Sequence, residues 1–314
     1  GTLTVIENAT DVALNSSAAT VTIGGDLEVR TGNLLVELDN LVVDGDFTLS
    51  GGNVLLTTTG TTRTLTSNGS ISLDGGDIIV TSGTANANLI INGDITGGNF
   101  ISFSGVNSNL TINGTDDLSV DFPLSGPTTL ENITITRGNN GSVVFPDELT
   151  ISNILTVNAG NVSLNGETFI GDDLTIIGGS VIAGDTLIVD DDLNIAAGST
   201  LFFEGQTLEL RGQYNNTLAG GLLSSDASST LNVVNVGVLG TLEFSPSGNT
   251  LGNFYIDRGT GGTLVTLNSP LTITNAFTLF NGDFLNTSGL TMSPGAVLTR
   301  NNQAAFSAGS VIPA

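Results

Sequence analysis

Apolar and polar residues alternate along this chain in short runs, and each run is bracketed by Gly, Asn or Asp. Residues 171–205 read GDDLTIIGGSVIAGDTLIVDDDLNIAAGSTLFFEG, in which Asp-Asp-Leu-Thr-Ile at 172–176 returns as Asp-Asp-Leu-Asn-Ile at 191–195. Strict alternation sends successive side chains to opposite faces of a strand, so one face is buried and the other wet. Gly-Gly, Asn-Gly and Asp-Gly supply the corners, where a positive φ or a close backbone approach is needed. No window carries a 3.6-residue apolar period, so helix is expected to be nearly absent.

The alternating unit repeats. GGDLEV (24–29), DGDFTL (44–49), NGSISL (68–73), SNILTV (152–157), GDDLTI (171–176) and DDDLNI (190–195) are instances of one phrase. Leu27 to Phe47 is 20 residues, Phe47 to Ile71 is 24, and Leu174 to Leu193 is 19, which suits one turn of a coil. A longer period lies above it. NITITRG (132–138) matches NFYIDRG (253–259) 121 residues on, LTISNILTV (149–157) matches LTITNAFTL (271–279) 122 residues on, and Gly51 and Gly178 stand 127 apart in a third match.

Alternation between turns permits antiparallel hairpins or parallel coils, and the regular spacing favours coils whose equivalent residues stack. The expected fold is therefore all-β: a single right-handed parallel β-solenoid over residues 1–314, with coils of ~20 residues in tandem units of ~125. The approximate internal units are 1–130, 131–252 and a partial 253–314. Leu, Ile and Val form interior ladders, and Phe47, Phe169, Phe202, Phe203, Phe254, Phe277 and Phe284 fill its wider parts. At the strand spacing of ~4.8 Å, roughly fifteen coils give a rod on the order of 70 Å long. Pro123, Pro127 and Pro146 fall between strands, where a missing donor costs the ladder least. Neither end reads as a cap, so the expectation is a fragment of a longer protein or a unit that stacks on neighbours.

Composition narrows the partners. With 30 acids against 6 bases, all six of them Arg, the net charge of −24 repels nucleic-acid phosphates and anionic headgroups. Cys and His are both absent, which removes disulfides, thiolate chemistry, imidazole ligands and the commonest general base. No apolar run is long enough for a membrane-spanning helix, so no direct membrane insertion is expected. The opening residues GTLTVIENAT lack a charged start and an apolar block, so any signal peptide is expected to be gone.

The idiom LTISNILTVNAGNVSLNG (149–166) and LTITNAFTLFNGDFLNTSG (271–289) resembles the long, repeat-rich surface and secreted proteins of Bacteroidota, many of them similar to type IX secretion cargo. That resemblance covers most of the chain in style, although no C-terminal sorting domain is recognisable. It implies an extracellular, cell-surface stalk or adhesin-like segment; copies of the chain stacked end to end into a fibre and surface glycans are the expected partners.

Candidate chemistry is sparse. Asp116-Asp117, Asp172-Asp173 and Asp190-Asp191-Asp192 suggest calcium, but none follows a calcium-loop pattern, and solvated corners free of ladder duty are the expected role. A lyase for acidic polysaccharides needs Arg or Lys beside the substrate carboxylate, and a hydrolase needs paired carboxylates. Asp121 with Glu131 and Asp147 with Glu148 are the pairs available, and no insertion breaks the repeat to build a site. Arg137 and Arg258 occupy matching positions, each before a Gly, and are expected to pair with an acid of the adjacent coil. Thr-x-Thr at 2–4, 20–22, 64–66, 134–136 and 272–274 is too intermittent for an ice-binding face, and Tyr214 and Tyr255 are few for a carbohydrate platform. The reading is a structural protein with no catalytic, cofactor-binding or metal residue. A polysaccharide-binding or polysaccharide-cleaving β-helix and a calcium-stabilised adhesin stand as alternatives.

Overall fold

A computed structural model describes residues 1–6, 11–15, 18–58, 60–105, 107–114, 119–124, 126, 128–138, 141–215, 217–259, 264–286, 289–301 and 304–306. The described residues form strands and turns without helix, and the strands pair in parallel as a β-solenoid of about 13 turns. The chain divides into two compact units. The first is residues 1–152 with 158–162, and the second is residues 153–157 with 163–314.

In the first unit each coil has three walls. One wall stacks Leu3–Ile6, the start of Leu27–Val36, Phe47–Leu49, Ile71–Leu73 and Ile95–Gly97. The second stacks Val12–Leu14, the end of Leu27–Val36, Gly52–Thr57, Ile78–Thr81 and Ile101–Ser104. The third stacks Thr20–Ile23, Asn40–Val43, Arg63–Ser67, Ala87–Ile91, Ser108–Asn113 and Asn132–Thr136. The spacings read from sequence are true registers, since Leu27 pairs Phe47 and Phe47 pairs Ile71.

The inward column of the third wall, Leu41, Leu65, Leu89, Leu110 and Ile133, is fully shielded from solvent, each member at most 1% exposed. Burying each such side chain is worth about 1.5–3 kcal/mol, and its methyl groups meet their own kind one strand above and below. The polar positions between them also stack. Asn88 Nδ2 donates to Thr64 Oγ1 (3.2 Å), Asn109 to Asn88 (3.1 Å) and Asn132 to Asn109 (2.8 Å). Beside this column, Asn68, Asn92 and Asn113 form a second amide ladder starting from Asp44, with bonds of 2.8–2.9 Å. At the corner, a Cβ on Gly69 would collide with the carbonyl of Gly45, and one on Gly93 with that of Gly69. Only glycine lets successive corners stack so closely.

The second unit repeats the plan with its own core. Leu187, Leu208, Leu231, Phe254 and Phe277 are in register and buried. Phe254 and Phe277 stack at 5.1 Å, and Phe284 closes against both at 5.9 and 5.2 Å, the offset and edge arrangements that aromatic quadrupoles favour. The 16-residue strand Leu271–Asn286 turns a corner and serves two walls, pairing Tyr255 through Thr278 and Val265 through Phe284. Thr230, Asn253 and Asn275 form a polar ladder of bonds at 3.2 and 2.7 Å, with Asn253 at the position matching Asn132.

Two of the seven phenylalanines that the sequence places in the interior do not face the core. Phe169 and Phe202 are half-buried outward positions, because alternation buries Thr168 and Ile170 around the first and Phe203 beside the second. Pro123 and Pro146 lie outside strands, and Pro127 is outside the described residues.

Candidate functional site: corner acids, buried arginines and an interrupted coil

The corner acids carry the ladder across the turns. Asp26 Oδ1 accepts the amide of Asp46 and Asp46 Oδ1 accepts that of Ser70, each at 3.0 Å. At another corner Asn53 accepts from Asp77, and Asp77 accepts from the amide of Phe100, each at 2.9 Å. In the second unit Asp173 accepts from Asp192 (3.0 Å) and Asp192 from Gln213 (2.9 Å). A turning backbone aims its N–H away from the wall, and a short carboxylate or amide side chain from the neighbouring coil supplies the missing acceptor. This corrects the expectation that such acids are idle, solvated corners.

Asp172, Asp173 and Asp191 bring one oxygen each within 4.8 Å of one another. Burial, then the surrounding carboxylates, pushes the Asp191 carboxyl up. Burial also raises Asp173, against the hydrogen bond it accepts from the Asp192 amide, with Asp172 and Asp192 adding to the rise. These acids follow no calcium-loop pattern, and Asp173 accepts the corner amide of Asp192 through one oxygen. Asp116 and Asp117 lie outside the described residues.

Asp226 shows the opposite balance. Partial burial works to raise its carboxyl, but the Ser228 hydroxyl and amide, the Ser229 hydroxyl and the Gly205 amide all donate to it and bring it down to about 2.

Arg137 and Arg258 are the largest buried side chains, 2% and 1% exposed. Arg137 pairs with Asp94 at 2.8 Å and donates to the carbonyls of Asn113 (3.0 Å) and Gly93 (3.3 Å). Asp94 lies two coils away, because the guanidinium reaches along the axis past the adjacent coil. Arg258 has four carbonyl acceptors, those of Arg211 and Val234 (2.6 Å each), Gly212 (2.9 Å) and Gly237 (3.1 Å). No described carboxylate pairs with it, and burial pushes its guanidinium down. The expected pairing with an acid of the adjacent coil therefore fails for both residues.

The reason for the difference is one position. Asp94 accepts the Ile71 amide through its backbone carbonyl, and Gln213 does the same for Leu193, at 2.7 and 2.8 Å. Gln213 thus holds the corner that Asp94 holds in the first unit, and it is neutral and exposed.

The repeat breaks at this corner. Among the described residues, the wall that pairs Leu174–Ile176 with Leu193–Ile195 narrows to isolated bridges, Leu193 to Tyr214 and Tyr214 to Gly240, with an antiparallel one between Ala196 and Gly220. Side chains supplement the backbone bonds that remain: Asn215 Oδ1 accepts the Ile195 amide (2.8 Å), Asn194 Oδ1 that of Thr217 (3.0 Å), and Tyr214 donates to the Gly221 carbonyl (3.0 Å). Asn215 and Asn235 are the described non-glycine residues with positive φ, at 55° and 78°.

Two cavities flank Gln213. One of about 380 Å³ is bounded by Tyr214, Asn215, Leu239, Thr241 and Glu243, and one of about 320 Å³ by Asp190–Asp192, Arg211, Asn235, Val236 and Arg258. The sequence shows no insertion here because the excursion is only a few residues long and is made of the same Gly, Asn and Thr as ordinary corners.

Tyr214 is 2% exposed, with burial pushing its hydroxyl up, so its ring is closed to a sugar. Tyr255 is half-buried and donates to Asp257 (3.2 Å). Asp147 and Glu148 are neighbours on one turn, Glu131 buries an oxygen without a hydrogen-bond partner, and the Asp121 side chain is outside the described residues. Comparison of this chain with protein-family models, with curated proteins and with solved structures finds no match.

Proposed function

We propose that this chain is a structural segment of an extracellular or cell-surface protein, a β-solenoid that spaces or assembles rather than catalyses. The observation that carries the reading is where the polar side chains are used. Corner Asp and Asn, the amide ladders and both buried arginines direct their hydrogen bonds to the next coil or the one beyond. Such a chain resists extension through backbone pairing reinforced at every level by side chains, and its stability approximates a sum of coil and interface terms. The strongly acidic surface supports solubility and disfavours nucleic acid as a partner.

Negative-stain electron microscopy of the purified protein tests it. Short isolated rods are expected for a spacer and long filaments for a self-assembling fibre, whereas compact particles of neither kind would overturn the proposal.

A polysaccharide-handling role is the second reading, on the strength of the two cavities beside Gln213. Binding on a glycan array that is lost when Thr241 or Glu243, both on the cavity wall, is replaced by Lys would favour it.

A further inference from the structure

We infer that residues 211–215 and 217–222 form the yield point of the second unit, the coil that opens before its neighbours and ahead of global unfolding. The inference concerns conformational behaviour and holds whether or not the chain is a spacer.

Four features converge there, each lowering the cost of opening. Among the described residues, the wall is carried by isolated bridges at Tyr214 and Gly220 instead of the three-residue pairings found at Leu174–Ile176 and Gly240–Leu242. A cleft of about 380 Å³ beside Tyr214 and one of about 320 Å³ on the other side of Gln213 bring solvent to the edges of this coil. Asn215 and Asn235 hold left-handed backbone that most residues avoid. Two coils further on, Arg258 is buried among carbonyls, two of them from this coil, and desolvation of its charge is not offset by a described carboxylate. Opening exchanges the Arg211 and Gly212 carbonyls for water, so a charge buried without a described carboxylate partner gains hydration in the open state.

The corresponding corner of the first unit differs, among the described residues, in its pairing and in its arginine. Phe47–Leu49, Ile71–Leu73 and Ile95–Gly97 keep three paired residues at each level, and Asp94 clamps Arg137. Gln213 is therefore the residue that leaves the second unit unclamped. Around it stand Asp190 and Glu209, both bonded to Arg211, together with Asp191 and Asp192 from the coil below and Glu243 across the cavity.

Hydrogen-exchange mass spectrometry on the whole chain tests this at neutral pH under native conditions. Peptides spanning the amides of Tyr214, Asn215 and Gly221 are expected to exchange at least about tenfold faster than those spanning Ile71, Ser72 and Leu73, as local opening requires. Gln213→Asp supplies a carboxylate at the corner and should slow the first set by about tenfold, the scale of one charge-assisted hydrogen bond. The neutral control Gln213→Asn should not. Equal exchange at the two corners in the unmodified chain overturns the inference without any variant having to fold. Equal effects of Gln213→Asp and Gln213→Asn would remove the role given to Arg258. Filament or rod images bear only on the spacer reading, so the two can fail separately.

Discussion

Arg137 and Arg258 occupy the same place in two copies of one repeat, yet they are held by different chemistry. Arg137 has a carboxylate partner, two carbonyls and an Nε without a hydrogen-bond partner. Arg258 has four carbonyls and no described carboxylate. Both arginines stitch successive coils, so the long repeat preserves the task of the side chain and not its partners. A guanidinium with five donors can satisfy carbonyls in several directions, which lets the acid at the corner drift from Asp94 to Gln213. What drifts with it is the compensation of the buried charge, and the wall beside Gln213 is also where the regular pairing gives way.

The largest expected effect comes from a ladder residue. Leu193→Asp, in a fully buried position, should destabilise the second unit by about 4 kcal/mol or more, since an unpaired carboxylate is forced into an apolar stack. Limited proteolysis should then degrade the second unit while the first stays protected; equal loss of both would contradict separate cores.

Next comes removal of each arginine. Arg137→Met strands a part-exposed Asp94 and two carbonyls, and Arg258→Met strands four carbonyls. Each should cost about 3–5 kcal/mol in chemical denaturation. Arg→Lys separates them, because one ammonium can keep the Asp94 pair but cannot serve four carbonyls held in a fork. The Lys variant should be the milder change at 137 and nearly as damaging as Met at 258.

Asp94→Asn should cost about 1–3 kcal/mol, turning the first unit's arginine into a relative of the second's. Its signature is faster hydrogen exchange around residues 93–97 with no change near Tyr214.

The pH responses are smaller and opposite in sign. Asp226 is ionised down to about 2 in the folded chain, so its bonds contribute fully above the ordinary carboxylate value. That contribution fades as pH falls from about 4 toward about 2. Asp173 and Asp191 are raised, so they favour the fold below the ordinary carboxylate value and weaken it as pH climbs through their raised values. Asp191→Asn should therefore raise the thermal midpoint slightly at neutral pH and leave it unchanged below about pH 4. Asp190→Asn removes one arm of an exposed pair in which Arg211 keeps Glu209, and a change within about 0.5 kcal/mol is expected.

The alternation at Leu174 and Leu193, the turn chemistry between them and the recurring 19–24-residue spacing were sufficient to specify parallel coils and to name register partners. These are local and periodic properties, and a stack of like residues announces itself in one dimension. The phenylalanines were less legible, because adjacent Phe202 and Phe203 cannot both face inward and composition does not say which does. The acids were less legible still. Whether Asp173 is solvated or accepts the Asp192 amide depends on which backbone lies beneath it, 19 residues away in sequence.

What the sequence by itself determined is the fold class and the approximate number of residues in each coil, since hydrophobic period and turn residues act within a single strand and its flanks. The tertiary structure decided which acid meets which arginine, where the wall narrows to Tyr214, and which corner lacks a clamp. Those outcomes depend on contacts one and two coils apart, where a single substitution, Asp94 against Gln213, changes the electrostatics of a buried charge without altering the pattern of apolar and polar positions.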